Sequence, residues 1–191
     1  MENTEAKESA ERDAALVRRF LAGDEEAFSS LVALYQDGIY QFALWHGGAT
    51  REAEDLAQEI FIEAFKSMKN FRGESSFKTW LYGLARNVCL YRARKNGSGR
   101  MLQENEEFAE VPDTFNHCAE MEREEEMQSV REAVNGMPQI YREIILLREW
   151  ENMSYEEIAQ ALAIPVGTVR SRLHNATLLL AKHLRAQEAL A

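Results

Sequence analysis

Apolar residues recur at every third or fourth position through most of this chain. After Asp24 they fall at Phe28, Leu31, Leu34 or Tyr35, Ile39, Phe42 and Leu44-Trp45, and Gly47-Gly48 stops the run. After Thr50 they fall at Leu56, Ile60, Ala64 and Met68, with Phe61 and Phe65 alongside. After Ser76 they fall at Phe77, Trp80-Leu81, Leu84-Ala85 and Val88. This is the spacing of one face of a helix. Helix formers dominate and there are only 3 prolines in 191 residues, so an all-α fold is expected. Asp24 and Thr50 stand where N-caps belong. A shorter first helix is expected from Asp13 to Leu21, on Leu16, Val17, Phe20 and Leu21. Residues 1–12, short, polar and acidic, are expected to be disordered.

Asn96-Gly97-Ser98-Gly99 is a strong breaker. No periodicity follows until about Cys118. Instead Glu104, Glu106, Glu107, Glu110, Pro112 and Asp113 suggest a flexible acidic linker, the alternative being a loop packed on one domain. Helical spacing resumes over 121–135, 139–150, 155–162 and 166–185. Ser154-Tyr155-Glu156-Glu157 has the form of a capping box. Ala163-Ile164-Pro165 reads as a tight turn with proline at a helix start. Two small helical domains are therefore expected, 13–96 and 119–187, joined by linker 97–118. A hydrophobic content of 46% is enough for both cores.

Charge is distributed unevenly. The formal net charge is −10, yet between Phe65 and Leu102 nine bases face one acid, Glu74. Phe71, Phe77, Trp80, Tyr82 and Tyr91 are interleaved with those bases. Cations neutralise phosphates and aromatic faces hold unstacked bases, so the stretch Asn70–Lys95 suits single-stranded or opening nucleic acid. Composition alone equally allows a helix with a solvated basic face. A second island, Ile158 to Gln187, contains no acid, only Arg170, Arg172, Lys182 and Arg185. The remaining acidic body would repel DNA or face a basic protein partner.

Ser154 to Arg185 has the spacing of a helix-turn-helix: a short helix, a turn, then a longer basic helix. The second helix would present Gly167, Thr168, Arg170, Ser171, Arg172, His174 and Asn175. Arginine can pair with guanine and asparagine with adenine. An ordinary helical hairpin would share the same spacing. Other classes find little support. No run of 18 apolar residues exists and the N-terminus has no signal-peptide character, so a cytoplasmic protein is expected. Cys89 and Cys118 match no zinc or redox spacing and should be reduced thiols. His46, His117, His174 and His183 are scattered. No nucleophile–base pair, metal-ligand cluster or phosphate-cradling glycine loop appears, so no enzyme activity, cofactor or metal is expected.

Three segments, in this order, carry a family resemblance: Asp55-Leu56-Ala57-Gln58-Glu59, then Phe71-Arg72-Gly73-Glu74-Ser75-Ser76-Phe77-Lys78-Thr79-Trp80-Leu81, then Ser154-Tyr155-Glu156-Glu157-Ile158-Ala159 with Pro165 to Leu173. From Asp13 to Leu184 the chain resembles bacterial RNA polymerase sigma factors of the extracytoplasmic-function group. The resemblance implies core-polymerase docking through Asp55, Gln58 and Glu59, on the clamp of the largest catalytic subunit, with the flap as a further contact. Their i, i+3, i+4 spacing places all three on one helix face. It implies −10 reading by Phe71, Arg72, Ser75, Lys78, Trp80, Arg86, Asn87 and Arg94. Phe71 would stack on a flipped base and Asn87 would read its edge. It implies −35 reading by the second domain in the major groove. Where many members carry further arginines after Arg172-Leu173, this chain has His174-Asn175-Ala176-Thr177, which suggests an altered −35 preference with adenine at Asn175. Promoter DNA, core polymerase and a membrane-associated anti-sigma factor are the implied partners, with no small-molecule substrate and no membrane insertion. A stand-alone helix-turn-helix regulator would explain the second domain and leave the first unexplained.

Overall fold

The computed structural model describes residues 2–47, 50–95, 130 and 133–188. Helices α1 (Glu2–Leu21), α2 (Glu25–Gly47), α3 (Thr50–Ser67) and α4 (Phe77–Lys95) form a first unit, with a 3-10 turn at Met68–Asn70 before the α4 loop. A second unit holds α5 (Gln139–Ile145), a π turn (Leu146–Trp150), α6 (Tyr155–Leu162) and α7 (Val166–Glu188). No strand occurs among the described residues, as an all-α reading requires. Among them, no helix is long and apolar enough to cross a membrane. The expected linker 97–118 lies outside the described residues. So does most of the expected helix 121–135, of which 133–135 are helical.

The periodic residues form the core. Leu31, Tyr35, Ile39 and Phe42 of α2 meet Leu56, Ile60, Ala64 and Met68 from α3 and its turn, and Phe77, Leu81, Tyr82 and Ala85 of α4. At the ambiguous α2 position Tyr35 is buried and Leu34 exposed. Each large side chain removed from water in this way contributes about 1.5–3 kcal/mol. Phe65 remains partly exposed but stacks edge-on against Phe20 and Phe28, at 5.2 and 5.1 Å between centroids.

Two elements differ from expectation. α1 starts at Glu2, so residues 2–12 are helical rather than disordered. This segment holds no breaker, and Ala, Glu, Lys and Arg are good helix formers. Lys7 and Glu11 approach to 4.0 Å at i, i+4. The helix is anchored by Asp13, a buried carboxylate that accepts from Arg12 (2.9 Å) and from the Tyr35 hydroxyl. The expected helix 139–150 changes to π geometry at Leu146. Glu151 N–H donates to Leu146 O at 3.1 Å, and Asn152 then ends the element at φ 51. Asparagine tolerates this left-handed backbone better than most side chains.

The two units pack on one another. Leu146, Leu147, Met153, Ile158 and Leu162 join the same apolar cluster as Leu81 and Tyr82. A smaller cluster within the second unit gathers Val134, Met137, Ile145 and Ala176. The helices α4 and α6 pack closely at Gly83, where a Cβ would lie 3.3 Å from the Ala161 carbonyl oxygen. Trp45 of α2 also meets Trp150 of the second unit edge-on at 5.7 Å.

Candidate nucleic-acid interface

The loop before α4 is built from short-range bonds. Phe71 leaves the 3-10 turn in extended conformation, its N–H donating to Met68 O at 3.0 Å. Gly73, at φ +71, takes the left-handed conformation that reverses the chain, which other side chains rarely adopt. Ser76 caps α4 by accepting from Thr79 N–H at 3.1 Å. The cap positions three rings together: Phe71 lies 5.3 Å from Trp80 and 6.3 Å from Phe77. Phe77 is buried, while Phe71 and Trp80 stay half-buried.

Trp80 and Asn87 line a cleft of about 500 Å³ together with Asn70, Ser75 and Thr79. Its opposite wall comes from the second unit: Gln160, Ala161 and Ala163. Arg72, Asn87 and Arg94 are exposed. Lys78 and Arg86 are engaged. Lys78 Nζ donates to the Glu151 carbonyl at 2.5 Å and lies 3.3 Å from Glu151 Oε2. Arg86 Nε lies 3.6 Å from Glu143 Oε2.

Glu143 is itself buried, with His46 Nε2 3.0 Å from its Oε1 and Gln139 Nε2 at 3.3 Å. Burial pushes its carboxyl pKa up. His46, Arg86 and Gln139 outweigh that and hold it below the ordinary carboxylate value. Cys89 is buried, and burial pushes its thiol well above the ordinary range, as suits an inert core thiol. Cys118 lies outside the described residues.

On α3, Asp55, Gln58 and Glu59 are all exposed, opposite the buried Leu56, Ala57 and Ile60. Their shared face is therefore outward. Glu59 also accepts from Arg92 of α4 at 3.0 Å.

The helix-turn-helix forms as its sequence suggests. Ser154 N–H donates to Glu157 Oε2 at 2.9 Å and Glu157 N–H to Ser154 Oγ at 3.2 Å, completing the capping box. Ala163 ends α6 in the left-handed conformation at φ 51, and α7 begins after Pro165. Ile158 and Val169 are fully buried at the crossing. Gly167, Arg170, Ser171, His174 and Asn175 are exposed on α7, whereas Thr168 and Arg172 are half-buried. Ser171 Oγ donates back to Thr168 O at 3.1 Å. The residues singled out in sequence thus fall into three groups: an acidic face on α3, an aromatic and basic face at the loop and α4, and an outward face on α7. The sequence reading missed Glu143 and Glu151, and named His46 without its partner Glu143. Nothing in their spacing marks them, because their partners lie on other elements.

A helical unit with an aromatic–basic loop, followed by a helix-turn-helix, is the arrangement of a DNA-binding protein. Residues 31–99 match Sigma-70 region 2, and residues 127–180 match Sigma-70, region 4. The chain is 38% identical over 174 residues to the RNA polymerase sigma-H factor of Pseudomonas aeruginosa, covering 87% of this chain and 90% of that one. It is 37% identical over 175 residues to the ECF RNA polymerase sigma-E factor of Haemophilus influenzae, covering 86% and 90%. Its fold is similar to that of the sigma factor RpoE solved with the anti-sigma factor NepR from Bartonella quintana, with a TM-score of 0.63, 25% identity, and coverage of 83% of this chain and 96% of that one. The chain belongs to the extracytoplasmic-function group of RNA polymerase sigma factors. Its role is in transcription initiation, with core RNA polymerase and promoter DNA as partners.

Proposed function

We propose that this chain docks on core polymerase through the α3 face, reads the −35 element as duplex through α7, and captures a −10 base at the α4 loop. The single observation that supports this best is that half-buried Trp80, which packs against the half-buried ring of Phe71, lines one cleft with exposed Asn87. Ring faces replace lost stacking, and the amide offers a donor and an acceptor to a base edge. Phe71, Arg72, Ser75, Lys78, Trp80, Arg86, Asn87 and Arg94 are the −10 residues of this reading. Gly167, Thr168, Arg170, Ser171, Arg172, His174 and Asn175 are those of the −35 reading. The units are assigned to 13–96 and 119–187. The chain acts in the cytoplasm as a specificity subunit without catalysis of its own. An anti-sigma factor controls it, by analogy with the Bartonella quintana complex.

Run-off transcription from a genomic fragment pool, with core polymerase and this chain, tests the proposal. Discrete products that vanish without the chain are expected, and a profile independent of it would sink the reading. Gln58→Ala with Glu59→Ala should weaken core binding about ten-fold, or about 1.4 kcal/mol. Unchanged affinity would move the docking face elsewhere. Arg170→Ala should cost about 1–3 kcal/mol in −35-dependent binding while core affinity holds. A normal promoter profile would reject a base- or phosphate-contacting role.

A further inference from the structure

We infer that Arg92 is a positioning residue for polymerase docking: from α4 it holds the Glu59 carboxylate in the orientation in which the α3 face presents it. The inference rests on the docking reading of Asp55, Gln58 and Glu59 above. The bases of α4 look alike in sequence, but the helix sorts them. From Arg86 to Lys95 its exposed residues are Asn87, Tyr91, Arg94 and Lys95. Their i, i+4, i+7, i+8 spacing makes them one stripe. Arg92 lies off that stripe and is half-buried, on the side of the helix that carries buried Ala85 and Cys89. Its guanidinium crosses the α3–α4 seam, where Nη1 donates to Glu59 Oε2 at 3.0 Å. This cation of the basic island is therefore turned toward the docking face, away from the stripe that would meet a strand.

The side chains of Arg92 and Glu59 are 31% and 47% exposed. An ion pair this open adds little to the stability of a fold. What it changes is the freedom of Glu59. A free surface glutamate samples many rotamers, and a partner that needs one of them must order it at an entropic cost. The charge-assisted bond from Arg92 orders it beforehand. It occupies Oε2 and leaves Oε1 without a hydrogen bond among the described residues. Of the three docking residues, Glu59 alone is tied to another helix among the described residues. A side chain ordered before association binds with less loss than one ordered during it.

The test is a double-mutant cycle on the full chain, read as the affinity of core polymerase for immobilised wild type, Arg92→Ala, Glu59→Ala and the double variant. Arg92→Ala is expected to weaken core binding about three- to ten-fold. Glu59→Ala should weaken it at least as much. The double variant should be no weaker than Glu59→Ala, because Arg92 acts only through Glu59. Arg92→Lys keeps the charge without the planar fork and should recover part of the loss. The Tm of Arg92→Ala should stay within about 2 °C of wild type. Once core polymerase is saturating, its promoter opening should equal that of the wild type. Unchanged core affinity for Arg92→Ala overturns the inference, and so do additive losses in the double variant, which would mean that Arg92 acts independently of Glu59. An opening defect that persists at saturating core overturns it too, by making Arg92 a strand contact. Normal core binding by Glu59→Ala would instead overturn the docking reading beneath it.

Discussion

Phe71→Ala is expected to lower promoter opening about 10–100-fold while leaving binding to closed duplex within about two-fold. Base–aromatic stacking is worth about 1–3 kcal/mol per base, and each 1.4 kcal/mol is a factor of ten. Phe71 contributes its ring to stacking and also props Trp80, whose centroid lies 5.3 Å away. Its loss therefore removes one platform and loosens another. Asn87→Ala should produce a similar defect by a different route. It removes the amide that would read a base edge, a contact worth about 1–3 kcal/mol, and leaves the aromatic cluster intact. Because Asn87 is exposed, this change should barely alter thermal stability. Permanganate reactivity of unpaired thymines reports opening, and mobility shifts on duplex promoter report binding. Equal, mild losses in both measurements for both variants would sink the base-capture role.

The features legible in sequence are those encoded locally. Helical periodicity placed Leu31, Ile39, Ile60 and Leu81 in the core, and all four are buried. The capping box at Ser154 and Glu157 is a four-residue signal and formed as read. The extent of α1 was misread because polar composition was taken for disorder. The buried Asp13–Tyr35 contact that anchors it spans 22 residues. The π turn at Leu146 leaves no local signature, since its apolar run fits either helix geometry. The least legible feature was the contact between units. Glu143 sits in a stretch of ordinary helical residues, and only the fold brings it to His46 and Arg86, from two other helices. Gly83 carried no signal in the sequence, yet a Cβ there would lie 3.3 Å from the Ala161 carbonyl oxygen of α6.

Glu143→Ala is expected to destabilise the full chain by about 3 kcal/mol. Removing one partner of a buried ion pair typically costs about 3–5 kcal/mol, because the remaining charge is left without compensation. The lower end applies here, since the Arg86 side chain retains 24% exposure and can recover some hydration. For a chain of this size each kcal/mol shifts the Tm by about 2–4 °C, giving a drop of about 6–12 °C. Glu143→Gln keeps the shape and one acceptor and should cost less. The two differ most usefully in acid. Glu143 titrates below its ordinary 4.5 in the folded chain, so unfolding would return it to that value. Its stabilising effect is then fully present above about 4.5 and fades as the pH falls through the lower, folded-state value. The wild-type chain should accordingly lose Tm more steeply than Glu143→Gln as the pH falls from 5 to about 3.5. Parallel slopes would show that Glu143 is not held as a carboxylate. A Tm drop under about 2 °C for Glu143→Ala would show that the His46–Glu143–Arg86 contact contributes nothing net. A full-sized drop together with an expanded scattering profile would place much of that energy in the junction of the two units, where the three side chains meet.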